Sequence, residues 1–434
     1  MAGDRRQVPQ RAFTADAAAA IAGPEWLRSR RVEAFERFAA TELPTPADEV
    51  WRYSRIDELD LDAYAPVAEG GGDGPAGGVL AAMEVRSGLV VTHNGRIVRT
   101  ELDPALAGRG VTLGGLASDP EGPDRLGSVA AAPDAYVDLA TAFLVDGVLL
   151  RVPSGVVVPD PIVVLHQVDQ PGGAVFGRTV VQAGEGSQVT VGEYLGSPGD
   201  LDALVCPVVE LDVADAANVS YLGVQELGRR VWQLGYQASR IGRDATLRSY
   251  SVALGGSYAR TRTDSRLAGQ GATANLLAAF FGDGEQMHDF RTMQDHAAPR
   301  TTSDLLFKGA VKDRAHSVYS GLIRVRKGAA GTNAFQTNRN LVLSEGARAN
   351  SVPNLEIDEN DLSCSHASAV GPIDEDQRYY LACRGVPPEV ADRLIVLGFF
   401  DEIVERAPVP EVRGALRQAV SAKLGHGGEG EGTE

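Results

Sequence analysis

Gly242-Arg243-Asp244-Ala245 and Gly269-Gln270-Gly271-Ala272 decide how this chain folds. Each is a tight turn built from residues that tolerate a reversed backbone, ending on a small residue that opens an alternating strand. The pattern recurs upstream as Gly184-Glu185-Gly186-Ser187 and Ala214-Asp215-Ala216-Ala217. Downstream it returns as Lys312-Asp313-Arg314-Ala315, Lys327-Gly328-Ala329-Ala330 and Ser344-Glu345-Gly346-Ala347. The small residues at 187, 217, 245, 272, 315, 330 and 347 fall at near multiples of about 15 positions. A strand, a turn and a second strand filling roughly 30 residues per coil describe a mainly β chain wound as a β-solenoid. One coil cannot bury its own apolar face, whereas stacked coils share a narrow core. An antiparallel sandwich is the alternative reading of the same short strands.

Composition agrees with a narrow core. Aromatic residues make up only 6% of the 434 residues, while 50 are glycine. Small and β-branched side chains therefore fill the interior, with many tight turns between them. The formal net charge of -17 disfavours nucleic acid and anionic membranes as partners, because phosphate binding needs clustered Lys and Arg. One basic stretch, Lys308, Lys312, Arg314, Arg324, Arg326, Lys327 and Arg339, is spread over several strands and reads as a solvated face or a partner contact. Three cysteines without framework spacing suit a reducing, cytoplasmic setting. No apolar segment has the length needed to span a bilayer.

Around the solenoid the texture changes. Residues 1–80 read as an N-terminal helical region with a Gly-rich linker. Within it, an amphipathic helix runs from Gly23 to about Leu43, with Pro24 at its first position and Leu27, Ala34, Phe35 and Phe38 on one face. A short helix follows at Asp48-Glu49-Val50-Trp51-Arg52-Tyr53, and the segment from Pro66 to Gly78 reads as a flexible linker. Residues 81–146 form a mixed connecting region. It opens with a hairpin whose strands flank Asn94-Gly95, a pair suited to a type I′ turn, and His93 beside that turn reads as a surface residue. The β-helix core spans 147–371, a C-terminal helical domain 372–424 and an acidic tail 425–434. In the C-terminal domain, Asp374 and Gln377 cap a helix through Cys383, Pro387-Pro388 opens a second, and a third begins near Pro410. Helices so placed cover the last coil and offer a docking surface.

Chemistry is sparse. The chain has no phosphate-cradling Gly-x-x-x-x-Gly-Lys-Ser/Thr run, no Gly-x-Ser-x-Gly elbow, no His-Glu-x-x-His pair and no Cys-x-x-Cys, so neither an ATPase nor a self-sufficient metal site is expected. The one dense donor cluster is Cys364-Ser365-His366. On a strand, positions two apart share a face, so Cys364 and His366 project side by side. Thiolate and imidazole both ligate iron, but two donors leave a four-coordinate site incomplete without other residues or a second chain. Spacing alone leaves this pair open between a ligand set and a buried cysteine beside a polar histidine. His296 and His316 read most simply as hydrogen-bonded structural residues, and Cys206 and Cys383 as buried packing residues. Clustered Asp358, Glu359 and Asp361 raise the rival reading of a carbohydrate-active β-helix enzyme, although in a turn they solvate it more simply.

Several stretches resemble the SufD-type scaffold subunits of the SUF iron–sulfur cluster assembly system, in the SufB/SufD family. They are Gln336-Thr337-Asn338-Arg339-Asn340-Leu341-Val342-Leu343-Ser344-Glu345, Pro353-Asn354-Leu355-Glu356-Ile357, Asp361-Leu362-Ser363-Cys364-Ser365-His366, and Asp374 through Leu381. Upstream stretches at Thr301-Thr302-Ser303-Asp304, Tyr319-Ser320-Gly321 and Glu49-Val50-Trp51-Arg52-Tyr53 also fit. The resemblance implies a right-handed parallel β-helix between helical terminal regions and a non-enzymatic scaffold role. It implies a heterodimer with a SufB-like sister subunit and a SufC-like ABC-type ATPase docked on the C-terminal helices. It also implies that His366 ligates transient iron or a nascent cluster shared with the partner chain, and the same-face spacing adds Cys364 as a supporting candidate. The sister subunit supplies a cysteine where this chain carries Asn338, which favours the D-type. His366-Ala367-Ser368-Ala369 departs from the Gly-Ala-Thr that commonly follows the histidine. A purely structural partner without a metal role is the remaining alternative.

Overall fold

The computed structural model describes residues 11–67 and 78–425. Most of the Gly-rich linker and nearly all of the acidic tail expected from the sequence lie outside the described residues. Two long sheets face each other, and the chain alternates between them coil by coil. One runs from Val148–Val152 to Arg348–Ile357, and the other from Ile162–Gln167 to Leu362–Gly371. The strands within each run are parallel, forming a solenoid of about eight turns. Along one ladder Asn218 pairs with Thr246, Thr246 with Thr273, Thr273 with Thr302, and Thr302 with Asn333.

The turns that announced the fold form a vertical column at one corner. Ser187, Ala217, Ala245, Ala272, Thr301 and Thr332 are all buried there, each one coil above the last. The residue before each has a left-handed backbone: Gly186, Ala216, Asp244, Gly271, Arg300 and Gly331 have φ between 54° and 73°. Their amides tie coil to coil, as in Ala216 N to Arg243 O at 2.7 Å and Gly331 N to Asp361 O at 2.7 Å. The irregular sequence spacing after Ala272 comes from mixing two columns. Thr301 is the true successor of Ala272, whereas Ala315 and Ala347 sit at the opposite corner above Gln286, and Ala330 lies two residues before Thr332. A hydroxyl replaces the methyl at Thr301 because its Oγ1 has partners: it accepts from or donates to His296 Nδ1 (2.7 Å) and bonds Thr332 Oγ1 (3.2 Å).

The outer faces of both sheets are apolar and take the helices. Phe38 of the helix Glu25–Ala40, with Leu139 of Ala135–Ala142, packs in one core with Tyr236 and Tyr258 of the first sheet. Pro24 stands just outside the first of these helices as its N-cap. The short 3-10 turn Glu49–Trp51 is pinned by stacking of Arg260 on Trp51 at 3.7 Å and by bonds from Arg260 and Arg291 to the carbonyls of Val50 and Arg52. Both guanidinium groups share the buried Asp289. Burial would raise that carboxyl, but the two arginines hold it below the usual range.

On the other flank, Val396, Phe400 and Ile403 of Pro388–Val404 and Leu416 of Val412–Gly425 cover Tyr250, Leu277 and Phe281. Lys308 anchors the helix, donating to Phe399 O at 2.8 Å beside Glu402. The C-terminal helices therefore lie along the side of the solenoid, and the expectation that they cover its last coil is corrected. Their apolar stripe matches the outward residues of earlier coils, while the outward face of Leu362–Gly371 offers little to bury.

The two ends differ. At the start, Gly88–His93 adds to Ile162–Gln167 and is itself flanked by the antiparallel Arg96–Leu102. Asn94 and Gly95, at φ 48° and 82°, make the left-handed pair that the sequence calls for. Thr112–Gly115 closes the first sheet antiparallel to Val148–Val152. His93 is buried rather than superficial, because its ring reaches back to Asp169 at 2.7 Å. At the far end, Arg348–Ile357 and Leu362–Gly371 have no further neighbour among the described residues.

The left-handed corner gives a direct test. A non-glycine residue there carries roughly 1–2 kcal/mol of strain. Ala216→Gly should be neutral or stabilise by up to about 1 kcal/mol. Gly271→Val should destabilise by more than ~2 kcal/mol, since an added Cβ would also meet Asp244 Oδ1 at 2.2 Å. Urea unfolding of the two variants would check both signs.

Candidate functional site at the open end of the solenoid

Inside the solenoid, side chains stack in columns set by the strand register. Leu276, Leu305, Gln336 and His366 form one column, and Ala278, Phe307, Asn338 and Ser368 the next. Across from them stand Phe290, Tyr319 and Ser351. Along these columns an apolar layer of Leu276, Phe290, Leu305 and Phe307 gives way, over the last two coils, to amides, hydroxyls and an imidazole.

Cys364 and His366 do share one face, the inward one, in register with Ala334 and Gln336. Cys364 is half-buried against Ile323, Val325, Ala329 and Ala334. Burial pushes its thiol up, so it stays protonated near neutral pH. His366 is exposed because no coil lies above it. The imidazole is therefore the readier donor. No group of three or more His, Cys, Asp or Glu able to hold a metal ion occurs among the described residues. The mouth thus presents two donors about 7 Å apart along a strand and leaves the rest of any coordination shell to another molecule.

The floor beneath them holds what sequence reasoning missed. Gln336 is 1% exposed, yet neither atom of its side-chain amide has a partner, and Ser351 Oγ is likewise buried and unpaired. Asn338, where the sister subunit is expected to carry a cysteine, is spent internally: it accepts from Asn340 Nδ2 at 2.7 Å and donates to Phe307 O at 3.4 Å. The available signal was the run Gln336-Thr337-Asn338-Arg339-Asn340, in which the inward positions of a core strand become polar.

The other expected residues separate cleanly. His296 is buried with both ring nitrogens engaged, by Thr301 Oγ1 at 2.7 Å and Ser303 Oγ at 2.8 Å, and burial pulls it down to about 4. His316 bonds Asn350 at 2.7 Å and is also lowered by burial. Cys206 is fully buried, as expected, but Cys383 is exposed. It caps the helix Glu375–Ala382, which buries none of its own residues, so the apolar neighbours Tyr379 and Tyr380 face solvent with it. Asp374 caps that helix by accepting from the amides of Asp376 and Gln377.

Five of the seven residues of the basic stretch are held in ion pairs, Lys308 with Glu402 among them. Arg314 pairs with Glu285, Arg324 with Glu356, Arg326 with Asp295 and Arg339 with Glu402, while Lys308 and Lys312 are buried. Glu359 accepts from the amides of Asn360 (2.8 Å) and Gly328 (3.0 Å), and those bonds hold its carboxyl below the usual range. A glycosidase general acid needs the opposite shift. A second polar cluster inside the core also escaped the sequence: Glu193 accepts from Thr179 (2.6 Å) and Tyr221 (2.5 Å) and pairs with His166 (2.6 Å), which bonds Thr92 (2.7 Å).

Comparison with known proteins places this architecture. The family model described as the SufBD core domain of SUF-system FeS cluster assembly matches residues 166–399, most of the solenoid and the start of the C-terminal helices. An iron–sulfur cluster assembly SufBD family protein of Mycobacterium tuberculosis is 36% identical over 312 residues, covering 70% of this chain and 77% of the relative. The iron–sulfur cluster assembly protein SufD of Bacillus subtilis is 31% identical over 288 residues, 66% of each chain. That of Escherichia coli is 26% identical over 395 residues, 90% of each.

The buried histidines make stability depend on pH. His288 and His296 titrate at about 4 in the fold, both lowered mainly by burial, against 6.5 when free. The unfolded chain therefore binds more protons across that window, and stability is full above pH 6.5 and falls as pH drops toward 4. The loss should reach at most about 3 kcal/mol per histidine. Urea unfolding at pH 7, 5.5 and 4.5 should show this slope, and His296→Asn should flatten roughly half of it.

Proposed function

This chain belongs to the SufBD family of SUF-system iron–sulfur cluster assembly proteins, and we propose that it is a non-enzymatic scaffold subunit whose open solenoid end forms half of a shared site. Its role in iron–sulfur cluster assembly follows from the family. The observation that carries the finer reading is the pairing of an incomplete donor set, Cys364 and His366, with the unpaired edges of the two last strands, one of which carries both donors. Iron, or the nascent cluster, is cargo here, held transiently while it is built. His366 supplies an imidazole nitrogen at the mouth and Cys364 a second, more recessed donor. The remaining ligands come from the partner.

That partner is a SufB-like sister scaffold. Ten-residue parallel edges with unpaired N–H and C=O groups are avid for another chain, and proteins that keep them exposed do so for a purpose. Leu355, Ile357 and Val370 are exposed on those edges, as expected of a surface waiting to be covered. A SufC-like ABC-type ATPase docks on the C-terminal helices. A groove of about 750 Å³, lined by Leu341, Tyr380, Leu381, Leu394, Ile395 and Phe399 among others, opens between the last coils and these helices. Tyr379 and Leu394, 73% and 50% exposed, stand at or beside it. The cytoplasm is the compartment that suits three free thiols. No helix among the described residues is long and apolar enough to cross a membrane.

Two experiments test this reading. Cluster yield in the reconstituted complex carrying His366→Ala should fall about tenfold or more, with Cys364→Ser giving a smaller loss. Wild-type loading by His366→Ala would remove that residue from the site and favour a purely structural subunit. For the ATPase, Leu394→Asp should weaken co-purification by about tenfold or more without lowering the unfolding midpoint. Unchanged stoichiometry would place the docking surface elsewhere.

A further inference from the structure

Among the described residues, Gln336 is the one side-chain amide with both polar atoms orphaned in the interior. Both its oxygen and its nitrogen are buried without a hydrogen-bond partner. Leaving such groups unsatisfied is costly, and native interiors rarely retain them without a use. The neighbours narrow what that use can be. In the coil below, the same column holds Leu305, which has nothing to offer. Across the core stands Gly321, whose missing side chain makes the room: a Cβ there would lie 2.5 Å from Gln336 Nε2. The nearby Tyr319 hydroxyl is already bonded to Thr292 at 3.0 Å. In the coil above, directly in register and on the same face, is His366. Adjacent parallel strands lie about 4.8 Å apart, within reach of a side-chain to side-chain bond. The exposed imidazole is free to turn toward the amide once its outer side is covered.

We infer that Gln336 is a positioning residue for His366: its Oε1 accepts the proton of one ring nitrogen and fixes the other, with its lone pair, toward the mouth of the solenoid. A histidine ligand generally has its second nitrogen held in this way, and losing the holder costs about 10–100-fold in metal affinity. The inference rests on the shared-site reading of His366, and adds the residue that selects the ring's tautomer and direction.

The test uses the whole chain, alone and in the reconstituted complex with its sister subunit and ATPase, loaded anaerobically with ferrous iron and sulfide. Gln336→Leu keeps the volume and removes both orphaned atoms. It should raise the thermal midpoint of the isolated chain by about 1–2 °C while cutting iron retained by the complex about tenfold. Gln336→Glu keeps the acceptor oxygen and should restore most of the retention. Opposite movement of stability and retention is what a merely structural role would not produce. Wild-type retention by Gln336→Leu, or a loss accompanied by a lower midpoint, would overturn the inference. If His366→Ala fails to load while Gln336→Leu loads normally, only this inference falls. If His366→Ala itself loads normally, the shared-site reading falls and this inference with it.

Discussion

The parallel hydrogen-bond ladder between coils is the constraint on which everything else in this molecule depends. Each coil buries its apolar residues only because another coil lies on top of it, and each strand satisfies its backbone only through its neighbours. Such a stack has to stop. At its start it stops by turning antiparallel, with Arg96–Leu102 and Thr112–Gly115 closing the edges. At its end no further strand among the described residues closes it, and two ten-residue strands carry unpaired backbone groups. The helices that could have sealed this end are held on the flanks by the apolar outer faces of earlier coils, through contacts such as Phe400 on Phe281.

The composition of the interior follows the same axis. Up to the coil of Thr302–Val311 the middle of the core at this end is an apolar layer of Leu276, Phe290, Leu305 and Phe307, flanked by buried Thr292, Gln294, His296 and Ser303 that hydrogen-bond within the core. One coil later it becomes Gln336, Asn338 and Asn340, and the last coil adds Ser351, His366 and Ser368. Three buried polar atoms left without partners, on Gln336 and Ser351, represent about 1–3 kcal/mol each that a Leu or Ala would not cost. Single buried atoms elsewhere also lack partners, among them Gln233 Oε1, Gln294 Oε1 and Lys312 Nζ, but among the described residues only Gln336 has both atoms of a side-chain amide in that state. That amide lies where the coils run out, directly beneath the inward-facing His366 and beside Cys364.

Much of the fold was legible because its corners are demanding. A left-handed residue followed by a small buried one restricts what can stand at 186–187, 216–217, 244–245 and 271–272, and that restriction shows in the sequence. Arg300 and Thr301 broke the pattern because tertiary contacts, to His296 and Thr332, outweighed the local preference. His93 was misread for a related reason: beside a turn it looks superficial, and only the fold brings Asp169 to it. Cys383 was misread in the other direction, since its apolar neighbours Tyr379 and Tyr380 face outward. The same-face placement of Cys364 and His366 needed only strand periodicity. That the face is inward, and that the coil is uncovered, depends on where the helices pack, which no local pattern records.

On the proposed reading, the last coil is the surface on which a second chain completes the site. Amide hydrogen exchange of the chain alone and bound to its sister scaffold measures this most directly. Strong new protection of residues 348–357 and 362–371 in the complex is the predicted result. Unchanged exchange over both strands, with protection appearing elsewhere, would contradict it.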